Sequence, residues 1–193
     1  MSYIERFRPL IHKLLKYGVT PADAALLSEK FYCRTYQAKE HLFTEGDQYP
    51  FMVYVLSGYL QLYTTEADGT TNVRILAGPG DFAGCVEATL YDQPAFYTAE
   101  CITKCQFVII DGHFQRMVRE KSEWFRLLQA FILRRIVALS REKEDMLPLR
   151  ATDRYLYFKR RYPLFVDNIP AGIIADYIGV RPQSLSRIKH SLR

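Results

Sequence analysis

From residue 122 to residue 147 the chain runs for 26 residues without a proline or a glycine. Such a stretch predicts one helix of about 39 Å at 1.5 Å per residue. Phe125, Leu128, Ile132, Ile136 and Leu139 step by 3, 4, 4 and 3, and Trp124, Leu127, Phe131 and Ala138 widen the stripe. At about 100° per residue the apolar arc spans roughly 180°, whereas one-sided packing needs only about 100°. The economical reading is burial on two sides, against the body of the protein and against a second copy of the chain. A helix buried wholly within one chain is the alternative, and a small monomer offers it limited partner surface. Arg135 breaks the pattern near the middle of the arc. A cation there needs a partner: an anion from an effector, or an internal carboxylate such as Glu142 or Glu87.

The segment before this helix has a different period. From about Cys33 to Ile110, short alternating runs such as "FMVYVLSGYLQLYT" and "CQFVII" are separated by turn residues. Asp68–Gly69 between two such runs signals a hairpin. Many short strands with glycine at the turns predict an antiparallel barrel, sandwich or jelly roll. Upstream, Ile4, Phe7, Leu10, Ile11, Leu14 and Leu15 keep helical spacing. Thr20 with Pro21 marks the start of a second helix, as N-cap and first position.

Composition excludes several classes. The chain is 49% apolar and 24% charged, which is globular rather than disordered. No apolar run reaches the ~18 residues expected of a membrane span. The start "MSYIERFRPLIHKLL" lacks a signal-peptide core, so a cytoplasmic location is expected. Cys33, Cys85, Cys101 and Cys105 show no C-x-x-C spacing. On a single strand Cys101 and Cys105 would sit about 13 Å apart, so reduced core thiols are expected. A metal-dependent enzyme built on such a roll would need clustered histidines. His12, His41, His113 and His190 are scattered, and neither a metal nor another cofactor is expected.

The net charge of +5 is unevenly placed. Residues 150–193 carry nine Lys and Arg against three acids, and the remainder is close to neutral. A basic tail on a neutral body predicts a polyanionic partner, double-stranded DNA. The tail holds "AGIIADYIGVRPQSLSRIKH", which fits a helix-turn-helix position by position. Ala175 is small where the helices cross, and Gly179 stands at the turn. Ile174, Ile178, Val180, Leu185 and Ile188 hold the pair together, and Pro182 opens the second helix. Gln183, Ser184, Ser186 and Arg187 are then free to face DNA; Arg reads guanine, Gln reads adenine and Ser reads either. Arg181, Lys189 and Arg193 are placed for phosphates. An ordinary helical hairpin with a basic face is the bland alternative.

In this order, the parts resemble the Crp/Fnr superfamily of bacterial transcription regulators, in the style of its Bacteroidetes branch. The resemblance is carried by "FTEGD" (43–47), "VYVLSGYLQLY" (53–63), "GPGDFAG" (78–84), "RYLYF" (154–158) and "IADYIGVRPQSLSRI" (174–188). It implies an α+β chain with three parts: N-terminal helices and a jelly roll of the cyclic-nucleotide-binding type (1–121), a dimerisation helix and hinge (122–149), and a DNA-binding helix-turn-helix (150–193). The last part would be of winged-helix type without a terminal wing, because the sequence stops at Arg193. It implies a homodimer on an inverted repeat, with RNA polymerase as a further candidate partner and an effector that the sequence does not name. A module that regulates a protein partner without reading DNA is the competing function.

One departure from the family pattern concerns the ligand. Members that bind cyclic nucleotide carry Gly-Glu-Leu and, about ten residues on, Arg-Ser/Thr-Ala, whose Arg pairs with the phosphate. Here the first reads Gly84-Cys85-Val86, followed by Glu87, and the second aligns with Ala95-Phe96-Tyr97. A buried phosphate without a cation is costly. Phe96 and Tyr97 are expected to fill the core or to line an apolar pocket. Titration calorimetry with cyclic AMP and cyclic GMP is expected to show no binding below about millimolar, where the binding free energy is only ~4 kcal/mol. Clear micromolar binding would overturn this reading of Cys85 and Ala95.

Overall fold

The computed structural model describes residues 3–48, 51–91 and 93–192. Two helices lead: α1 (Tyr3–Lys16) and α2 (Pro21–Ser28). Thr20 caps α2, its hydroxyl accepting from the Asp23 N–H at 3.1 Å with Pro21 in the first turn.

Eight strands follow: β1 (Tyr32–Tyr36), β2 (His41–Phe43), β3 (Met52–Ser57), β4 (Leu60–Thr65), β5 (Thr71–Ala77), β6 (Phe82–Ala83), β7 (Thr98–Cys101) and β8 (Cys105–Ile110). They form two antiparallel four-stranded sheets, ordered β1-β8-β3-β6 and β2-β7-β4-β5. The Asp68–Gly69 hairpin joins β4 to β5. Side chains alternate across a strand. On β3 this sends Val53 and Val55 into the roll interior with Leu60, Leu62, Phe107 and Ile109. Tyr54 and Val108 point to the other face, where they meet Phe7, Leu10, Phe31 and Trp124. The sheet containing β3 and β8 is thus covered on both faces, which explains why β3 reads as a nearly continuous apolar run.

Cys101 and Cys105 correct one expectation. The chain leaves β7 in one sheet and turns at residues 102–104 to begin β8 in the other. A single continuous strand would have held the thiols apart; the turn brings both into the roll core as free, buried thiols, with Cys105 donating to the Tyr59 and Thr103 carbonyls at 3.3 and 3.2 Å. Their mutual interaction pushes the Cys101 thiol well above, and Cys105 below, the ordinary cysteine range.

Helix α3 (Val86–Tyr91) interrupts the strands, and α4 (Gly112–Glu120) leads into α5 (Ser122–Met146). Beyond α5 lie α6 (Ala151–Arg161), α7 (Pro163–Val166), α8 (Ala171–Tyr177) and α9 (Pro182–Ser191). Their core of Tyr155, Phe158, Ile174, Leu185 and Ile188 is continuous with Val73 and Leu76 of β5. Phe165 meets Tyr59 edge-on with ring centroids 4.8 Å apart. The C-terminal helices therefore pack against the outside of the second sheet. No described helix is long and apolar enough to cross a membrane.

Gly58 sits at the β3–β4 turn with φ +86°, a region costly for any residue with a Cβ. A Cβ there would also overlap the Lys104 carbonyl and would lie 2.6 Å from the Cys105 sulfur. Gly58→Ala is expected to cost roughly 2–4 kcal/mol. Urea unfolding reads this as a lower midpoint; an unchanged midpoint would contradict the crowding at this turn.

Candidate nucleic-acid interface

The pair α8–α9 is built around a tight turn. The Ile178 N–H returns to the Ile174 carbonyl at 3.0 Å, and the Val180 N–H to that of Ala175 at 2.9 Å. Gly179 between them has φ +66°, and a Cβ there would press on Arg154 Nη1 at 3.2 Å. Ile174, Ala175 and Leu185 are fully buried, with Ile178 and Ile188 close to it. Pro182 occupies the first turn of α9, after Arg181.

This packing decides which side of α9 is free. Arg181, Gln183, Ser186 and Arg187 are exposed, while Ser184 and Lys189 are half-buried. Gln183, Ser186 and Arg187 lie three and four positions apart, so they share one face. His190 is also exposed and continues that face, a position the sequence reading did not single out. Lys189 follows Leu185 by one helical turn and therefore lies towards the buried side. Leu192, just past the end of α9, is 46% exposed. Arg193 lies outside the described residues. The available chemistry is a guanidinium, an amide, a hydroxyl and an imidazole on an open convex face, suited to hydrogen bonding with a flat polar surface.

Two devices fix the orientation of this face. The first is Glu142 of α5, which is 4% exposed. Its carboxyl oxygens accept from the Tyr162 hydroxyl at 2.6 Å and the Tyr177 hydroxyl at 2.5 Å. Burial first, and their surroundings at Glu142 after it, hold both phenols well above the ordinary tyrosine range, so both act as donors. The second is Arg154 of α6. Its guanidinium donates to the carbonyls of Met146, Leu147 and Leu149 at the end of α5, and to that of Ile178 at the end of α8. Cations at helix C-termini satisfy the carbonyls left without a partner there. The sequence reading placed Glu142 only as a partner for Arg135. In the structure no described carboxylate forms an ion pair with Arg135, which is half-buried. The two phenols take the carboxyl that the sequence reading offered to Arg135.

The outer side of α5 carries Leu133, Ile136 and Val137, which are 63%, 48% and 40% exposed. The inner side buries Trp124 and Ile132. Of the apolar stripe read in the sequence only Ile136 is exposed; Leu133 and Val137 lie outside it, so the open strip is displaced from the predicted arc.

The structure brings together the two segments that the resemblance assigned to a nucleotide pocket. The Phe96 N–H points to the Cys85 sulfur at 3.4 Å. Gly84 and Cys85 are buried and Val86 opens α3, as does Glu87, whose side chain lies outside the described residues. Cys85, Ala88, Ala95 and Ala99 join the roll core directly. Phe96 corrects the expectation of a filled core: its ring is 56% exposed and stacks edge-on against Tyr97 at 5.1 Å. Ala95 lies in the roll core, and the bend at Phe96 and Tyr97 before β7 leaves the Phe96 ring outside. Tyr97, half-buried, packs against the core.

Residues 33–121 match the cyclic nucleotide-binding domain family. Three solved structures share the fold over most of the chain. The c-di-GMP-responsive global regulator CLP of Xanthomonas campestris is 18% identical, with a TM-score of 0.66, over 87% of this chain and 91% of that one. FixK2 of Bradyrhizobium japonicum is 20% identical with a TM-score of 0.66, over 84% of each chain. The catabolite activator protein of Thermus thermophilus is 23% identical with a TM-score of 0.55, over 95% of this chain and 86% of that one. Comparison with curated protein sequences finds no match. The roll matches the cyclic nucleotide-binding type of domain, and the chain shares its fold with these solved structures.

Asp176 of α8 accepts from the Val73 N–H of β5 at 3.1 Å. Burial pushes its carboxyl above the ordinary range; the Val73 bond and the charge of Arg74 pull the other way and do not prevail. A carboxyl raised in the folded state gives stability that is present at low pH and lost as pH rises through the folded value. The loss therefore begins above about pH 4, the ordinary aspartate value. Asp176→Asn keeps an acceptor for Val73 and removes the charge. Urea midpoints across pH 4–8 are expected to favour the variant increasingly as pH rises. A variant that loses ground to wild type towards neutrality would contradict the assignment.

Proposed function

We propose that the chain is a sequence-specific DNA-binding transcription regulator that acts as a homodimer on an inverted repeat. The observation that carries this reading is the face of α9. A helix-turn-helix closed by Gly179 presents Gln183, Ser186 and Arg187 together on the open side, in the most basic part of the sequence. Ser184 and Arg181 flank them. In this reading α9 lies in the major groove, where such side chains bond to base edges. Arg181, at the start of the helix, meets phosphate, as does Lys189 at the edge of the contact.

The dimer follows from α5. Leu133, Ile136 and Val137 form an apolar strip that water covers in a single chain, and a second copy buries it by two-fold symmetry. Two α9 helices would then face the same side of DNA about 34 Å apart, one helical turn. The roll does not bind cyclic AMP or cyclic GMP in this reading. Its support is the absence of charge at Gly84-Cys85-Val86 and Ala95-Phe96-Tyr97, and the entry of Cys85 and Ala95 into the roll core.

Two variants separate reading from positioning. Arg187→Ala is expected to cost roughly 1–3 kcal/mol on the preferred site and to relax the choice at one base pair. Arg181→Ala is expected to weaken all DNA alike and to reduce the salt slope by about one unit per protomer. Equal losses on specific and random DNA for Arg187→Ala would mean that another face of α9 is used. Light scattering at micromolar concentration is expected to give a dimer, and Leu133→Glu a monomer. A wild-type monomer that stays monomeric on DNA would contradict the assembly.

A further inference from the structure

A cavity of about 100 Å³ lies outside the roll, between α1, α2, β3, β6 and α5. Leu10, Phe31, Phe82, Trp124, Leu127 and Phe131 supply much of its wall. Its polar atoms are few: the Gln115 amide, which already donates to the Ile110 carbonyl at 3.2 Å, the Tyr17 hydroxyl and the Trp124 indole N–H. Edge-on contacts of Phe131 with Tyr17 at 5.1 Å and with Phe82 at 4.8 Å close one side. The Lys121 ammonium covers the Trp124 ring at 4.1 Å.

Protein interiors rarely keep voids larger than a water molecule. Water is stable in such a space only with two to four polar partners, and apolar cavities of roughly this size stay dry and take up xenon or benzene. This wall offers a ligand almost no polar surface and no charge. A charged or strongly polar molecule would lose its hydration without replacement. The surrounding elements add a second point. The cavity is bounded by the N-terminal helices, the roll and α5 together, so an occupant touches all three. On the opposite side of α5 lies the open strip of Leu133, Ile136 and Val137.

We propose that this cavity is a binding site for a small, uncharged, apolar molecule. It lies apart from the nucleotide position of the roll, where Cys85 and Ala95 occupy the core. As a site of regulation it rests on the reading of the chain as a DNA-binding dimer; as a binding site it does not.

Trp124 is the one tryptophan in the sequence and lines the cavity, so its emission reports occupancy directly. The probe is xenon, dissolved under increasing pressure, with selective excitation of the indole. The expected result is saturable quenching in the wild-type chain. Val118→Phe, which fills the cavity from α4, should abolish the saturable part. Val118→Leu, a smaller filling change that the fold accommodates more readily, should weaken it several-fold. Benzene should raise the wild-type melting temperature and raise that of Val118→Leu less. Quenching that stays linear in xenon, or is equally saturable in both variants, would overturn the proposal. DNA retention is measured on the same samples without xenon. Its failure would count against the regulator reading alone, whereas unsaturable quenching with intact DNA retention would count against the cavity alone.

Discussion

Glu142 is the point at which the long helix and the C-terminal helices become one body. A buried carboxyl is stable only if its hydrogen-bonding capacity is met. Here two phenols from different helices meet it: Tyr162 beyond the end of α6, and Tyr177 at the end of α8. Hydrogen bonds of this kind contribute roughly 1.5–3 kcal/mol each when a charged partner is involved. Arg154 adds the complementary restraint by gathering the last carbonyls of α5 and α8. With both in place, α8 cannot rotate about α5, and α9 inherits a fixed direction through the turn at Gly179.

The same short helix is tied to the roll. β5 is the outer strand of its sheet, and an outer strand leaves backbone groups without partners. Asp176 takes the Val73 N–H, and the side chains around Ile174 and Ile178 cover the strand beside it. Adjacent residues of α8 thus face different neighbours, Asp176 the roll and Tyr177 the long helix. The orientation of the exposed face of α9 depends on both contacts.

Much of the architecture was legible from local rules. Thr20–Pro21, Asp68–Gly69 and Gly179 announce a helix start, a hairpin and a turn because each satisfies a backbone requirement that few residues meet. The length of α5 followed from the lack of breakers, but its open strip did not follow from the arc, because Leu133 and Val137 lie outside the stripe that the spacing marks. What stayed hidden depends on contacts distant in sequence. The approach of Cys101 to Cys105 needs the chain to change sheets within three residues, which no periodicity reveals. Phe96 lies outside the roll because the chain bends at Phe96 and Tyr97 before β7, and a short apolar run does not disclose such a bend. Glu142 reads as a partner for Arg135 along one helix. The phenols that claim it lie 20 and 35 residues away.

The central claim is that the face of α9 reads DNA as one half of a symmetric pair. The most direct measurement is selection of bound DNA from a random pool by the full chain, followed by sequencing. The account predicts an enriched inverted repeat whose half-sites are centred about one helical turn, 10–10.5 base pairs, apart. Retention of DNA without any enriched sequence, or enrichment of a single unrepeated site, would contradict it.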